Sequence, residues 1–192
     1  MKLTFLISSS SLRTNTKKTV KSVVGGQERL DIISRCLLNT DRWKTRLPFN
    51  IQMVIYLSHP EEQQALYIDL VSNSPLLKSE LSSTIKLIEI MSKQKTPVSK
   101  FEKTSFSSIV REIAEESILY YLTPEGSLLS KDILNPLDEG SLCFVLGSQH
   151  DLSEEQEASL KEAGTKQISL GSKNYLASHV ITVLCSHLFD VF

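Results

Sequence analysis

Cysteine is scarce in this 192-residue chain: Cys36, Cys143 and Cys185 lie far apart and form no C-x-x-C pair. Their spacing excludes a disulfide framework and a cysteine-rich zinc site, and it fits a reducing cytoplasm. Long apolar runs are missing too. A bilayer-spanning helix needs roughly 20 such residues, whereas the opening run to Ile7 gives way to serines after one strand's length. Neither a signal peptide nor a membrane partner is expected. The histidines at 59, 150, 179 and 187 are dispersed, so no metal centre is expected either. The sequence contains no G-x-x-x-x-G-K-[ST], G-x-G-x-x-G, H-E-x-x-H or G-x-S-x-G. Phosphate-loop, dinucleotide-fold, zinc-protease and α/β-hydrolase chemistries therefore lose their usual sequence basis.

What is present suits one packed domain over residues 1–192, with 41% hydrophobic and 22% charged residues. The net charge of −1 is unevenly placed. Residues 1–50 hold ten Lys/Arg against three Asp/Glu, net +7; the remaining residues hold eleven against nineteen, net −8. Such asymmetry hints at an anionic partner, although two segments of opposite charge can also simply pair across one fold.

Residues 2–8 read as a strand, followed by a polar loop, the Gly25-Gly26 breaker and a helix from near Glu28. Leu30, Ile33, Leu37 and Leu38 recur at helical spacing. Strands are expected at 51–57 and 65–71, then a helix over about 79–92. The lysine-rich stretch 93–105 with Pro97 reads as the least ordered part, a candidate mobile linker. A helix over about 107–116 leads to a strand at 118–122 and a turn at Pro124-Glu125-Gly126. The apolar run Leu142 to Leu146 ends at Gly147, as a central parallel strand would. Ser153 and Gln156 form a capping box, and Gly164 ends that helix. A strand at 166–170 and a helix over about 174–189 close an α/β pattern. In such folds ligands bind at the carboxyl ends of strands, here Leu122, Gly147 and Leu170.

These three ends carry a family likeness. Leu-Tyr-Tyr-Leu (119–122), Phe-Val-Leu-Gly (144–147), Leu-Ser-Glu-Glu (152–155), Ile-Ser-Leu (168–170) and Ala-Ser-His-Val-Ile-Thr (177–182) resemble motifs of the SPOUT superfamily of methyltransferases. The nearest likeness is to its TrmY-like tRNA pseudouridine-54 N1-methyltransferases. Arg29-Leu30-Asp31 and Arg35-Cys36 look like that family's Arg-Leu-Asp-x-x-x-Arg-Cys helix, and Pro97 and Phe106 fall at the spacing of its linker. The chain departs from the family at several points. Gly147-Ser148-Gln149-His150-Asp151 stands for Gly-Asp-His-x-Gly, Ser172 for a common proline and Val180 for a cysteine. Leu47 to Asn50 replaces an Arg-Arg-Asp, and Pro97-Val98 replaces Pro-Gly.

The resemblance implies a SPOUT-type parallel sheet flanked by helices with a C-terminal deep trefoil knot, and a homodimer. It divides the chain into a basic RNA-facing part, 1–105, and a knotted cofactor-binding part, 106–192. S-adenosyl-L-methionine would contact Leu122, Gly147, Leu170, Gly171, Ser172, Lys173, Asn174, Tyr175 and Val180. The implied substrate is tRNA. Pseudouridine joins its sugar through C5 and so presents a free N1–H. The expected catalytic set is Asp31, accepting or polarising that N1–H, with Arg29 and Arg35 holding a phosphate or the charge developing on the uracil. The competing reading of Asp31 and Arg35 is an ordinary i,i+4 surface ion pair. Arg13, Lys17, Lys18, Lys21, Arg42, Lys44 and Arg46 are candidates for phosphate contacts. Two other functions fit the same features: a Nep-type ribosomal RNA pseudouridine N1-methyltransferase, and a SPOUT-like RNA-binding dimer without catalysis.

Overall fold

The computed structural model describes residues 1–14, 28–93, 95–130, 133, 140–148, 151–173 and 175–191. Its strands are β1 (Lys2–Ser9), β2 (Asn50–Leu57), β3 (Gln64–Leu70), β4 (Lys95–Thr96), β5 (Ser99–Lys103), β6 (Ser117–Leu128), β7 (Ser141–Gly147) and β8 (Lys166–Ser169). Its helices are α1 (Leu30–Trp43), α2 (Glu80–Met91), α3 (Phe106–Glu116), α4 (Glu154–Glu162) and α5 (Ala177–Phe189). The strands form one sheet in the order β4-β5-β3-β2-β1-β7-β6-β8. The five strands β2, β1, β7, β6 and β8 run parallel, while β3, β5 and β4 add an antiparallel edge.

Side-chain alternation explains why both faces are covered. Leu3, Phe5 and Ile7 of β1 point into a core shared with α1, α2 and α5. Leu6 points the other way, into a second core with Phe106, Ile109 and Val110 of α3 and Leu160 of α4. The run Leu142 to Leu146 is almost fully buried because β7 lies between two helical layers. All three cysteines are free and buried; burial pushes the Cys36 and Cys143 thiols up to about 12, so they are inert packing groups.

The capping box forms as expected. Ser153 Oγ accepts from the Gln156 amide at 3.3 Å, and Gln156 Oε1 accepts from the Ser153 amide at 3.1 Å. Gln156 Nε2 also donates to Ser8 Oγ at 2.9 Å, so the same residue ties α4 to the end of β1. Gly164 then stops the helix with a positive φ of 70°.

Three expectations require correction. Residues 95–103 are an edge hairpin, with β5 paired to β3 from Ser99↔Ile68 to Lys103↔Gln64. Its lysines blunt an exposed sheet edge, and that composition reads like a linker. Likewise, Pro124-Glu125-Gly126 is an irregularity inside β6, which pairs with β8 through Tyr120–Leu122 and again through Ser127–Leu128. Helix α5 begins at Ala177, later than the expected 174.

Candidate active site

Parallel strands place their carboxyl ends on one side; Gly147 ends β7 and Leu170 follows β8 there, and Leu122, which precedes the irregularity inside β6, meets them. Together they help line a cavity of about 490 Å³, within the range of small-molecule sites. Of the predicted cofactor set, Leu122, Gly147, Leu170, Gly171, Lys173, Tyr175 and Val180 line it. Ser172 is exposed and is not among its lining residues, and Asn174 lies outside the described residues. Gly171 adopts φ of 103° with open space where a Cβ would stand. Ser169 Oγ accepts from the Gly171 amide at 3.1 Å and fixes that turn.

A larger cavity, about 640 Å³, lies at the opposite end of the sheet against Lys2, Asn50 and Ser141. Those residues begin β1, β2 and β7, so it sits at the amino ends of the parallel strands and lacks the glycine loops. The smaller cavity has the position expected of the ligand site.

Helix α1 contributes to that cavity from the basic N-terminal part, through Arg29 and Ile32. Arg29 precedes the helix in the left-handed region, φ 48° and ψ 41°, a conformation that costs a non-glycine residue on the order of 1 kcal/mol. Its side chain returns to the helix. Arg29 Nε donates to Asp31 Oδ1 at 3.0 Å and its Nη2 to Oδ2 at 3.1 Å, while Arg35 Nη2 reaches Oδ2 at 2.8 Å. Arg35 Nε in turn donates to Glu80 Oε1 of α2 at 3.0 Å. The Asp31 side chain is only 6% exposed, against 35% and 36% for the two arginines, so a buried anion presents two reachable cations. Burial drives the Asp31 carboxyl upward, but the bonded Arg29 guanidinium and the charge of Arg35 outweigh it and hold the group below the ordinary carboxylate range. The sequence spacing suggested only the Asp31–Arg35 pair; the strained backbone at Arg29 was invisible to it.

Tyr120 and Tyr121 pack into the two cores, and neither is among the residues lining the cavity. Tyr120 is fully buried against Phe144, and its hydroxyl donates to the Ile133 carbonyl at 3.0 Å. Tyr121 donates to Glu157 Oε1 at 2.9 Å. The basic candidates scatter. Lys44 is buried, its Nζ 2.7 Å from Asp41 Oδ1 and 2.7 Å from Ser74 Oγ, so it locks a loop to α1 and is no phosphate contact. Arg42 and Arg46 lie at the far end of α1, roughly 20 Å from Arg29 at 1.5 Å per residue. Arg46 stacks over Trp43, which packs on Phe189. Arg13 is half-buried, and Lys17, Lys18 and Lys21 lie outside the described residues. Sequence reasoning missed Asp151 as a lining residue; it is the first acidic residue after the β7 glycine.

The model of a family described as "Putative SAM-dependent RNA methyltransferase" matches residues 1–191. The chain belongs to this family. A Thermococcus onnurineus protein named tRNA (pseudouridine(54)-N(1))-methyltransferase is 26% identical over 192 residues, covering 93% of this chain and 92% of its own. A protein of the same name from Methanocella arvoryzae is 28% identical, covering 89% and 90%. The crystal structure of Archaeoglobus fulgidus Nep1 bound to S-adenosylhomocysteine superposes with a TM-score of 0.68 at 14% identity, covering 100% of this chain and 99% of that one. That likeness is one of fold: the α/β arrangement described above, a mostly parallel sheet flanked by helices. Among the described residues, no helix is long and apolar enough to cross a membrane.

Proposed function

We propose that the chain is a tRNA methyltransferase that uses S-adenosyl-L-methionine to methylate N1 of pseudouridine 54 in the T-loop. The observation that carries this reading is the Arg29–Asp31–Arg35 cluster at the rim of a cavity built from three strand-end loops, in a chain alike over its length to proteins of that name. The cavity suits the cofactor. Ile32, Leu122, Leu146 and Val180 offer aliphatic walls for a flat base, and the loop ends at Gly147 and Gly171 offer backbone groups. When bound there, the cofactor supplies an electrophilic methyl group.

The chain's own residues then have distinct parts. Arg29 lines the cavity and binds Asp31, which supports a role for it between cofactor and RNA. Arg29 and Arg35 stabilise negative charge on the uracil ring as the N1 proton leaves. A carboxylate that already accepts from two guanidiniums and is held below its usual range is a weak base. Asp31 thus acts by orienting both arginines, and the proton passes to water.

We further propose the deep trefoil knot, supported by the order β1-β7-β6-β8, in which the chain crosses from β6 to β7 on one side and back to β8 on the other. Homodimerisation is supported by exposed Tyr175 and Leu176 just before α5 and Phe189 at its end. Sedimentation at micromolar concentration should give a species of twice the 21.6 kDa chain mass, and a lone monomer would contradict it. The two parts, 1–105 and 106–192, act as one domain in the cytoplasm. Digestion of reacted tRNA followed by mass spectrometry should place the new methyl in the T-loop fragment. A methyl found only in ribosomal RNA would favour the Nep-type reading.

A further inference from the structure

The charges around the cofactor cavity are arranged asymmetrically. Arg29 and Lys173 approach it from α1 and from the loop after β8, whereas Asp151 approaches from the loop after β7. Among the described residues that line the cavity, Asp151 is the one carboxylate. It does not stand alone on its side. The neighbouring Tyr121 hydroxyl is held well above its ordinary range by burial, by its bond to Glu157, and by the charges of Asp151 and Glu125. Glu157 is bound by Tyr121 and Glu125 accepts from Thr123 Oγ1, whereas Asp151 is exposed and lines the cavity.

The two forms of the cofactor differ in charge. S-adenosylmethionine carries a sulfonium and is a net cation at neutral pH; S-adenosylhomocysteine has lost the methyl and that charge. Their ammonium, carboxylate, ribose and adenine groups are the same. A nearby carboxylate in a partly desolvated cavity distinguishes the two by its Coulomb attraction for the sulfonium alone.

We propose that Asp151 is the residue that makes the cavity prefer the cationic methyl donor over its neutral product, so that the donor outcompetes the product for the site after each transfer. This deepens the proposed function and rests on it, because it assumes that the cavity is the cofactor site. The preference is a difference of affinities, set by one charge rather than by shape.

Calorimetric titration of the full chain with three probes tests it: S-adenosylmethionine, S-adenosylhomocysteine and sinefungin, which bears a protonated amine in place of the methylsulfonium. The unaltered chain should bind the two cationic probes more tightly than S-adenosylhomocysteine. Asp151→Asn should weaken both cationic probes about five- to tenfold and leave S-adenosylhomocysteine within about twofold. Glu125→Gln removes an equal charge outside the cavity lining and should change the preference less than Asp151→Asn does. Equal weakening of all three probes would assign Asp151 to a group they share and overturn the proposal. An unchanged preference in Asp151→Asn would overturn it as well. Failure of the unaltered chain to bind any of the three would instead overturn the cofactor reading itself.

Discussion

Replacing Asp31 with alanine is expected to lower methyl transfer about 100- to 1000-fold while cofactor affinity falls only a few-fold. The alanine leaves the Arg29 and Arg35 guanidiniums without the buried anion that fixes them, at 2.8 to 3.1 Å, in one arrangement. Arg29 also loses what offsets its left-handed backbone, so this cation at the cavity rim is free to turn away. Cofactor affinity changes less because Leu122, Gly147 and Leu170 come from strands that do not depend on Asp31. The conservative variant Asp31→Asn separates orientation from proton transfer. An amide oxygen still accepts from one guanidinium, so an orienting Asp31 leaves roughly a tenth of the activity and an unchanged pH profile. Complete loss in Asp31→Asn, together with a vanished pH limb, would restore Asp31 as the general base. Full activity in the alanine variant would remove it from the site altogether.

Gly126→Ala should be the most damaging small substitution in the fold. A Cβ there would stand 2.5 Å from the Ile168 carbonyl carbon, 2.6 Å from its nitrogen and 2.7 Å from its Cα. All three are backbone atoms, and β8 cannot retreat because β6 holds it through Leu122↔Ile168 and Ser127↔Ile168 alike. Overpacking against fixed backbone costs about 3 kcal/mol or more, which for a chain of this size lowers the midpoint of thermal unfolding by roughly 6–12 °C. Leu122 and Leu170 flank this contact in the chain and line the cavity, so cofactor binding should weaken along with stability. A variant melting within about 2 °C of the unaltered chain would show that the close approach is not maintained.

The parts of this architecture that depend on local rules were legible in the sequence. Leu3, Phe5 and Ile7 alternate with Leu6 because a strand between two helical layers must bury both faces, and Ser153 with Gln156 announced the start of α4. The strand-end loops were legible for the same reason, since an apolar run stopped by glycine marks where a parallel strand opens to ligand. What sequence could not supply depends on partners distant in the chain. The β4–β5 hairpin looked like a linker because its pairing partner β3 lies some 30 residues upstream and its lysines serve an edge. Lys44 looked like a phosphate contact until Asp41 and Ser74 enclosed it. Gly126 looked like a turn because only the crossing of β8 shows why a side chain is forbidden there. The left-handed Arg29 follows from the Asp31 clamp and from the cavity together, neither of which a spacing rule encodes.

The central claim is that the chemistry takes place at a nitrogen that uridine does not offer. Two transcripts of one tRNA, identical except for uridine or pseudouridine at position 54, should be incubated with the chain and methyl-labelled S-adenosylmethionine, and their nucleosides resolved by mass spectrometry. The pseudouridine transcript should yield N1-methylpseudouridine and the uridine transcript no label above background. Equal labelling of the uridine transcript, or label on neither while the cofactor binds, would contradict the account.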